Sequence, residues 1–473
     1  MKMKKIVAML LALVMVVGVI AACDNDTTDE TTKAPTTTDS ATPTDPTETT
    51  AEITTVDGPP ADIIEPATDV ADESTDPVIV WSWNEDFSNM IKKYYVVDNP
   101  TFVFTSQVHE NTVYQEKLDA VLSSGDAAPE IYTTEADFAK KYVNSVNTLN
   151  INELGMSNAE LADQYAYTYE YMIDDAGAIK AVSWQANPSC VFYNKTVAET
   201  YLGYSDPASV SANFATWDAF LETARKIAAD SDGAVKAISG TDDLVRSFMN
   251  SREKGWIVDG EIYIDPQMDA YLDFAKTLQD EDLTFETSQW SDPWNANKNN
   301  ESVLSYWGPM WFVLYCMGFS YEADGVTLAE GANPTAGDWD AVKAPSPFFW
   351  GGTWINASQY NMHKATTADI IRYYCTEPES MKALAESGEF VNSISVTSEI
   401  AADPDFGLVF LGNANPYTLL VPEAASISLD TVTADDQALN KLWNDTVAAY
   451  VNGTTPTAAE ARQAFLDAAA DLI

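Results

Sequence analysis

Val78-Ile79-Val80-Trp81 is an apolar, β-branched run whose length and composition predict a buried strand. Apolar residues then recur at helical spacing over residues 113–122, and residues 130–133 predict a second strand. Further strands are predicted at 182–184 and 191–193. Strands that alternate with amphipathic helices predict an α/β fold with layers around parallel sheets.

Two helix starts in this globular part are marked by capping residues. Thr216 precedes an apolar-periodic segment, and Thr457 is followed three positions later by Glu460, the pattern of a capping box. We therefore expect one helix to begin after Thr216 and the last helix of the chain to begin after Thr457.

The segment before Val78 has a different composition. Residues 24–77 are rich in Thr, Asp, Pro and Ala and carry fifteen acidic residues against one lysine, Lys33. Such a segment buries too little apolar surface to offset the entropy of ordering its backbone. We expect residues 23–77 to form a disordered, extended tether.

The amino terminus has the layout of an export signal. Basic residues at positions 2, 4 and 5 precede an apolar run over residues 6–20, which is too short for a dedicated membrane span. Ile20-Ala21-Ala22-Cys23 resembles the bacterial lipobox, so residues 1–22 are expected to be a lipoprotein signal peptide. Acylation of Cys23 would hold the protein at the outer face of the cell membrane; an ordinary signal peptide or an uncleaved anchor is the alternative.

Charge restricts the class of partner. The formal charge of the chain is −47, and −36 of it falls on residues 78–473 once the three signal lysines and the net −14 of the tether are set aside. A surface this acidic repels phosphate backbones, so no nucleic-acid partner is expected. A neutral or cationic ligand fits the charge better.

The sequence offers little to support common enzyme chemistry. Its two histidines, His109 and His363, are far apart, and there is no nucleophile elbow, phosphate loop or zinc-protease motif. Cys190, Cys316 and Cys375 have no metal-site spacing, so no cofactor and no metal are expected. A glycosidase-like pair of carboxylates stays open as an alternative, since acidic pairs are abundant.

The order of several segments resembles that of bacterial extracellular solute-binding proteins of the maltodextrin-binding type. The segments are Ser124-Gly125-Asp126-Ala127-Ala128-Pro129-Glu130-Ile131, Val182-Ser183-Trp184-Gln185-Ala186-Asn187-Pro188 with Phe192-Tyr193-Asn194-Lys195, Thr216-Trp217-Asp218-Ala219-Phe220, Ser305-Tyr306-Trp307-Gly308-Pro309-Met310-Trp311, and Gly351-Gly352-Thr353-Trp354. Two departures from the family pattern are Met310, where tryptophan usually follows Gly-Pro, and Phe390-Val391-Asn392, which lacks a common proline.

This resemblance implies the two-lobed periplasmic-binding-protein-like fold (type II), with a hinge made by chain crossings between the lobes. The expected N-lobe is 78–186 plus 349–400, and the expected C-lobe is 187–348 plus 401–473. By the same resemblance, the lobes of a monomer would close on a solute and present it to the permease subunits of an ABC importer, without catalysis.

Tryptophan indicates the ligand class. The chain has thirteen tryptophans, several near predicted strand ends and crossings, and an indole can stack on the apolar face of a sugar ring while polar groups bind the hydroxyls. Trp217 is expected in the core. Asp86 lies near the clustered tryptophans and is a further candidate for binding hydroxyl groups, and Trp290 and Trp294 belong to the same clusters. The residues expected to bind a neutral carbohydrate are Trp81, Trp83, Glu85, Glu135, Asp137, Trp184, Gln185, Asn187, Trp307, Trp311, Trp350 and Trp354. A glycan-adhesion module with the same fold is a further alternative.

Overall fold

The computed structural model describes residues 61–317 and 333–472. The expected signal peptide, Cys23 and the tether up to residue 60 lie outside the described residues. Within the described ranges, no helix combines the length and the apolar character needed to cross a membrane.

Eleven strands in the described residues form two main sheets and a small hairpin. The strands are β1 (Val78–Ser82), β2 (Phe104–Val108), β3 (Ile131–Glu135), β4 (Ala181–Ser183), β5 (Pro188–Asn194), β6 (Ile257–Val258), β7 (Glu261–Ile262), β8 (Ser305–Pro309), β9 (Trp339–Val342), β10 (Phe348–Phe349) and β11 (Thr353–Ala357).

Helices surround the sheets. They are α1 (Asp86–Met90), α2 (Val96–Asp98), α3 (Asn111–Ser124), α4 (Ala136–Val143), α5 (Ala166–Glu170), α6 (Lys195–Leu202), α7 (Pro207–Phe214), α8 (Trp217–Asp230), α9 (Val245–Asn250), α10 (Pro266–Asp280), α11 (Asp292–Asn297), α12 (Met310–Tyr315), α13 (Lys364–Cys375), α14 (Pro378–Glu386), α15 (Ile394–Ala402), α16 (Tyr417–Ala424), α17 (Asp436–Val451) and α18 (Ala458–Ala469). A π-helical turn, Ile91–Tyr95, joins α1 to α2, and single 3₁₀ turns lie at Ile151–Leu154, Asn158–Leu161, Thr241–Asp243 and Val409–Leu411.

The two expected caps are present. The Thr216 side chain accepts a hydrogen bond from the backbone of Ala219 at 3.1 Å, and the Thr457 side chain accepts one from Glu460 at 3.2 Å. Each hydroxyl satisfies an N–H group that has no partner within its own helix. The predicted helix over 113–122 is α3, which ends at Gly125 in the left-handed conformation with φ 77°.

The first sheet has the strand order β2-β1-β3-β11-β4 and the second has β10-β5-β8, with β9 also paired to β5. We call the parts built on them the N-lobe and the C-lobe. Strands β1, β2 and β3 are parallel, as expected, but β11 is antiparallel to β3 and β4, and the second sheet is antiparallel throughout. The expectation of parallel sheets is therefore correct for only part of the fold, because apolar periodicity identifies a strand without fixing the direction of its neighbours.

Two short crossings connect the sheets. Residues 184–187 lead from β4 to β5, and residues 350–352 lead from β10 to β11. The backbone N–H of Trp350 donates to the carbonyl of Asn187 at 3.4 Å, and the Ser183 hydroxyl lies 2.8 Å from the carbonyls of both Gln185 and Thr353. The crossings therefore run side by side.

Residues 61–76, which we call the strap, differ from the expected tether. Asp62 accepts hydrogen bonds from the Ser157 hydroxyl and the Asn158 backbone, both at 2.6 Å, and Asp72 accepts from the Thr366 backbone at 3.1 Å. The backbone of Glu73 donates to the carbonyl of Met362 at 2.7 Å. Composition did not reveal this contact with the N-lobe, because it depends largely on carboxylate and backbone hydrogen bonds, for which there is no apolar pattern in the sequence.

Three tryptophans expected in the binding site lie in the core instead. Trp81 is 5% exposed and packs with His109, at 4.5 Å between ring centroids. Trp307 is 1% exposed and stacks on Trp217 at 5.6 Å. Trp354 is fully buried in β11, where its indole nitrogen donates to the Thr168 carbonyl at 3.1 Å.

The reason for two of these errors is local geometry. The strand β1 ends at Ser82, so Trp81 lies within the strand and packs in the core, whereas Trp83 lies beyond the strand end. Trp307 belongs to the buried strand β8, whereas Trp311 belongs to α12, so the two side chains lie in different surroundings although they are only four positions apart.

Replacing Trp307 by alanine should lower the free energy of unfolding by about 3–5 kcal/mol, because it leaves a large cavity between Trp217 and the second sheet. Urea denaturation of the two proteins measures this difference. As a control, Tyr315→Ala, which removes a ring that is 60% exposed, should change stability far less. Equal midpoints for wild type and Trp307→Ala would contradict the core assignment.

Candidate functional site

A cleft of about 540 Å³ opens between the two lobes, next to the crossings. This volume lies in the range of roughly 300–1,000 Å³ that is usual for small-molecule sites. Aromatic side chains, carboxyl groups and amides share its lining. The aromatic residues are Trp83, Trp184, Trp290, Trp311, Tyr315 and Trp350; the charged ones are Asp86, Glu135, Asp137, Arg246 and Glu389; the amides include Asn84, Asn111, Gln185 and Gln289.

The topology of the N-lobe brings its part of the lining together. Trp83 follows the end of β1, Glu135 ends β3, and Trp184 with Gln185 follows β4. Because β1 and β3 are parallel, their carboxyl ends meet at one edge of the sheet, which is where α/β folds commonly bind ligands.

An aromatic wall lies on the opposite side, along the second crossing. The Trp311 indole nitrogen donates to the Trp350 carbonyl at 3.1 Å, and the two rings lie 5.1 Å apart. Gly351 has φ 72°, and a Cβ atom there would come within 3.1 Å of the Trp311 ring. Glycine at this position therefore allows both the backbone turn and the close approach of the indole.

Trp290 extends this wall and is unusual in two respects. Its side chain is 51% exposed although it is a large apolar residue, and its φ of 70° lies in the left-handed region, which is costly for a bulky side chain. The Asn295 side chain donates to its carbonyl at 3.0 Å, and its ring lies 5.8 Å from that of Trp350. Surrounding contacts thus hold an exposed indole in the cleft at the expense of backbone strain.

An ion pair joins the lobes inside the cleft. Arg246 of α9 donates from Nη1 to Oδ1 of Asp137 at 2.7 Å and from Nη2 to Oδ2 at 2.9 Å. Asp137 belongs to α4 of the N-lobe, and α9 packs against β10 of the C-lobe. Burial opposes the charge of Asp137, but the Arg246 charge and its hydrogen bonds outweigh this effect and lower the Asp137 pKa below its usual value.

Glu135 differs from its neighbour. Burial, and next the negative charge of Asp137, raise the pKa of Glu135 to about 8. One carboxylate oxygen accepts a hydrogen bond from the Asp137 backbone at 2.8 Å and caps α4. The cleft therefore holds two neighbouring carboxyl groups whose pKa values are shifted in opposite directions, up for Glu135 and down for Asp137.

A second carboxyl–amide pair lies near the first crossing. Gln185 donates from Nε2 to Glu389 at 2.7 Å, and burial raises the pKa of Glu389. Burial likewise raises the pKa of Asp86, to which Asn84 donates at 2.7 Å. These groups offer both donors and acceptors, which is the requirement for binding several hydroxyl groups. Among residues 61–317 and 333–472, no cluster of histidine, cysteine and carboxylate side chains is arranged to hold a metal ion.

The structure brings seven of the twelve expected residues to the cleft. They are Trp83, Glu135, Asp137, Trp184, Gln185, Trp311 and Trp350. Trp81, Trp307 and Trp354 lie in the core, as described above. Glu85 is exposed at the start of α1, outside the cleft, and Asn187 is fully buried in the first crossing.

Sequence reasoning did not identify Arg246, Tyr315 or Glu389 as lining residues. Arg246 occupies an unremarkable position in α9, and only the folded chain brings it to Asp137. Trp290 is one of the clustered tryptophans in the sequence but is not among the twelve residues expected to bind. Its neighbours Ser288 and Gln289 are typical of a loop, which was the available signal that this indole is not in the core.

The elevated pKa of Glu135 predicts a pH-dependent stability. A carboxyl group whose pKa is raised by folding stabilises the fold below its unfolded pKa, and this contribution is lost as the pH rises towards about 8. Wild-type stability should therefore fall over this interval, and Glu135→Gln should fall less steeply. Urea denaturation across the pH range measures both slopes, with Glu199→Gln, a surface carboxyl of α6, as the control. Parallel slopes for wild type and Glu135→Gln would contradict the assigned pKa.

Similarity to known proteins is extensive in structure and low in sequence. A family model described as "Bacterial extracellular solute-binding protein" matches residues 89–407. No curated protein sequence matches the chain.

Solved structures of sugar-binding proteins cover most of the chain. An ABC transporter associated binding protein from Bifidobacterium animalis subsp. lactis, in complex with β-1,6-galactobiose, is 18% identical, with a TM-score of 0.64 over 84% of this chain and 97% of that one. The galacto-N-biose-/lacto-N-biose I-binding protein from Bifidobacterium longum, in complex with lacto-N-biose, is 16% identical, with a TM-score of 0.64 over 84% and 98%. Maltose-bound MalE3 from Thermotoga maritima is 16% identical, with a TM-score of 0.62 over 84% and 100%.

These structures confirm the expected two-lobed α/β fold, in which the two sheets and their crossings form a cleft. The family model extends over well more than half of the chain and includes most of the residues that line this cleft. The chain belongs to the bacterial extracellular solute-binding proteins.

Proposed function

We propose that this protein is the receptor of an ABC importer and binds a neutral oligosaccharide in the interlobe cleft. The observation that carries the proposal is the combination of an indole wall, Trp290, Trp311 and Trp350, with carboxyl and amide groups on the facing lobe. A sugar ring has an apolar face that suits an indole and hydroxyl groups that suit carboxylates and amides.

The neighbours in structure support the same ligand class. The three solved proteins described above hold a galactobiose, lacto-N-biose and maltose, all disaccharides. Their identity to this chain is too low to transfer a particular sugar, so the class rests on the side chains of this cleft.

The proposed mechanism is closure of the lobes about the two crossings. We take the N-lobe as 78–186 plus 349–400 and the C-lobe as 187–348 plus 401–473. A ligand that contacts both Glu135 of the N-lobe and Trp311 of the C-lobe binds the closed form more tightly and shifts the population towards it. The permease subunits would then recognise the closed form.

One observation bears on the enzymatic alternative. The raised pKa of Glu135 beside the lowered pKa of Asp137 resembles the pattern of two carboxyl groups in a glycosidase. However, both oxygens of Asp137 are held by Arg246, and the two carboxyl groups lie two residues apart at one helix start, on the same side of the cleft. They are therefore poorly placed to flank a glycosidic bond.

Titration of the protein with a panel of soluble di- to hexasaccharides tests the proposal. We expect at least one saccharide to raise the melting temperature and to be recovered intact. Trp311→Ala should weaken binding of that saccharide about tenfold or more, because it removes a stacking surface. Tyr263→Ala, which changes an aromatic residue of the C-lobe outside the cleft, should bind like wild type.

Other outcomes of this titration favour the alternatives. Release of shorter products, abolished by Glu135→Gln, would favour an enzyme. Retention on insoluble polymer with no soluble ligand would favour an adhesion module.

We also propose that Cys23 is lipidated and anchors the protein to the outer face of the membrane. The support is the order of basic start, apolar run and Ala21-Ala22-Cys23 in the sequence. In a bacterial host, wild type should partition into the detergent phase and incorporate labelled fatty acid. Cys23→Ser should remain in the aqueous phase or retain its signal peptide. Equal partitioning and labelling of both proteins would reject the anchor.

A further inference from the structure

The ion pair between Asp137 and Arg246 lies at a boundary between two cavities. It lines the large cleft of about 540 Å³, and it also lines an adjacent cavity of about 50 Å³ whose wall is of mixed polar and apolar side chains. Tyr171, Asn250 and Asp436 form part of the wall of the smaller cavity. The ion pair thus lies between the cleft and this smaller cavity.

Arg246 is held in place by its neighbours. Its guanidinium carbon lies 5.3 Å from the centre of the Trp350 ring, and its backbone carbonyl accepts from Asn250 Nδ2 at 2.9 Å. The Asn250 Oδ1 atom accepts from the Phe349 backbone at 3.2 Å, which ties α9 to β10 next to the second crossing. A bidentate arginine with these supports is a fixed barrier rather than a flexible surface side chain.

Asp137 is fixed from the other lobe. Its backbone N–H donates to Glu135 at 2.8 Å at the start of α4, and its two oxygens bind the two Nη atoms of Arg246. The side chains of Arg246 and Asp137 are 24% and 37% exposed, so water and salt reach the pair and its net contribution is small. A contact of this strength can bias an equilibrium between lobe arrangements without locking it.

A second polar contact joins the same two lobes. Gln115 of α3 donates to Gln437 of α17 at 3.0 Å. This contact is exposed, and neither glutamine lines the large cleft. The ion pair is therefore an interlobe contact that can act on both closure and the shape of the site.

We infer that the Asp137–Arg246 pair is an interlobe latch that closes one end of the cleft, so that the site takes the terminal rings of a short saccharide and excludes internal segments of a longer chain. The ligand named in this inference rests on the proposed function, whereas the existence of the latch does not. Wherever the pair is formed, a bound saccharide cannot continue from the cleft towards Asn250 and Asp436. The substrate class is then short oligosaccharides with a free end.

The test compares the length dependence of binding in matched variants. Arg246→Ala removes the barrier and opens the cleft to the smaller cavity. Arg225→Ala removes an arginine of the same lobe that pairs with Glu281 on the surface, far from the cleft lining, and serves as the control. Urea denaturation first verifies that both variants are folded.

Wild type is titrated by calorimetry with saccharides of one to six rings, built from the sugar that it binds. Its affinity should stop rising, or should fall, beyond a certain length. In Arg246→Ala the ratio of affinities for the next longer saccharide and the preferred one should increase about tenfold, whereas Arg225→Ala should keep the wild-type profile. Identical length profiles for wild type and Arg246→Ala would overturn the inference.

The latch is also testable without any saccharide. The distance between fluorophores placed on the two lobes should be longer on average in Arg246→Ala than in wild type, and high salt should lengthen it in wild type but not in the variant. An unchanged distance would overturn the latch. If no saccharide binds wild type while the distance does respond, the proposed function fails and the limit on saccharide length fails with it, but the latch stands.

Discussion

The two chain crossings between the sheets are the constraint on which the site depends. Ser183 and Thr353 begin and end them on the N-lobe, and Trp350 and Asn187 are bonded to one another between the lobes. Since the crossings run side by side, the end of β4 and the start of β11 meet at one point, and Trp184, Gln185 and Trp350 are brought together with no contribution from long loops. The cleft is therefore a consequence of connectivity as much as of side-chain packing.

Around this hinge, the two lobes contribute different chemistry. The N-lobe supplies carboxyl and amide groups at strand ends, whereas the C-lobe supplies indoles on α12 and on the loop before α11. The N-lobe also contributes Trp83 and Trp184, and the C-lobe also contributes Arg246 and Gln289, so the difference between the lobes is one of proportion. A solute that stacks on the C-lobe indoles and bonds to the N-lobe carboxyl groups contacts both lobes, and this couples recognition to closure.

Much of the fold followed from the sequence, but the site followed only in part. The strands at 78–81 and 130–133, the helix over 113–122 and the caps at Thr216 and Thr457 depend on local patterns, which sequence displays directly. The antiparallel pairing of β5 with β8 and the contact of Asp137 with Arg246 depend on residues 109 or more positions apart, for which no local pattern exists.

The tryptophans show the same division between what local sequence predicts and what only the folded chain determines. Trp83 and Trp81 are two positions apart and chemically identical, yet one lines the cleft and the other is in the core, because β1 stops between them. Trp307 and Trp311 are likewise separated by the end of a strand. Composition indicated an aromatic site, and only the ends of β1 and β8 determine which indoles take part.

The strap has a mechanical consequence. Its hydrogen bonds join it to the N-lobe: Asp62 accepts from the Ser157 hydroxyl, and Asp72 accepts from the Thr366 hydroxyl. Tension applied through the residues that precede the strap would therefore act on the N-lobe alone, and not on the crossings or the C-lobe. Rotation of the C-lobe about the crossings would not move the strap. The energetic cost of that rotation would therefore not depend on tension in the residues that precede the strap.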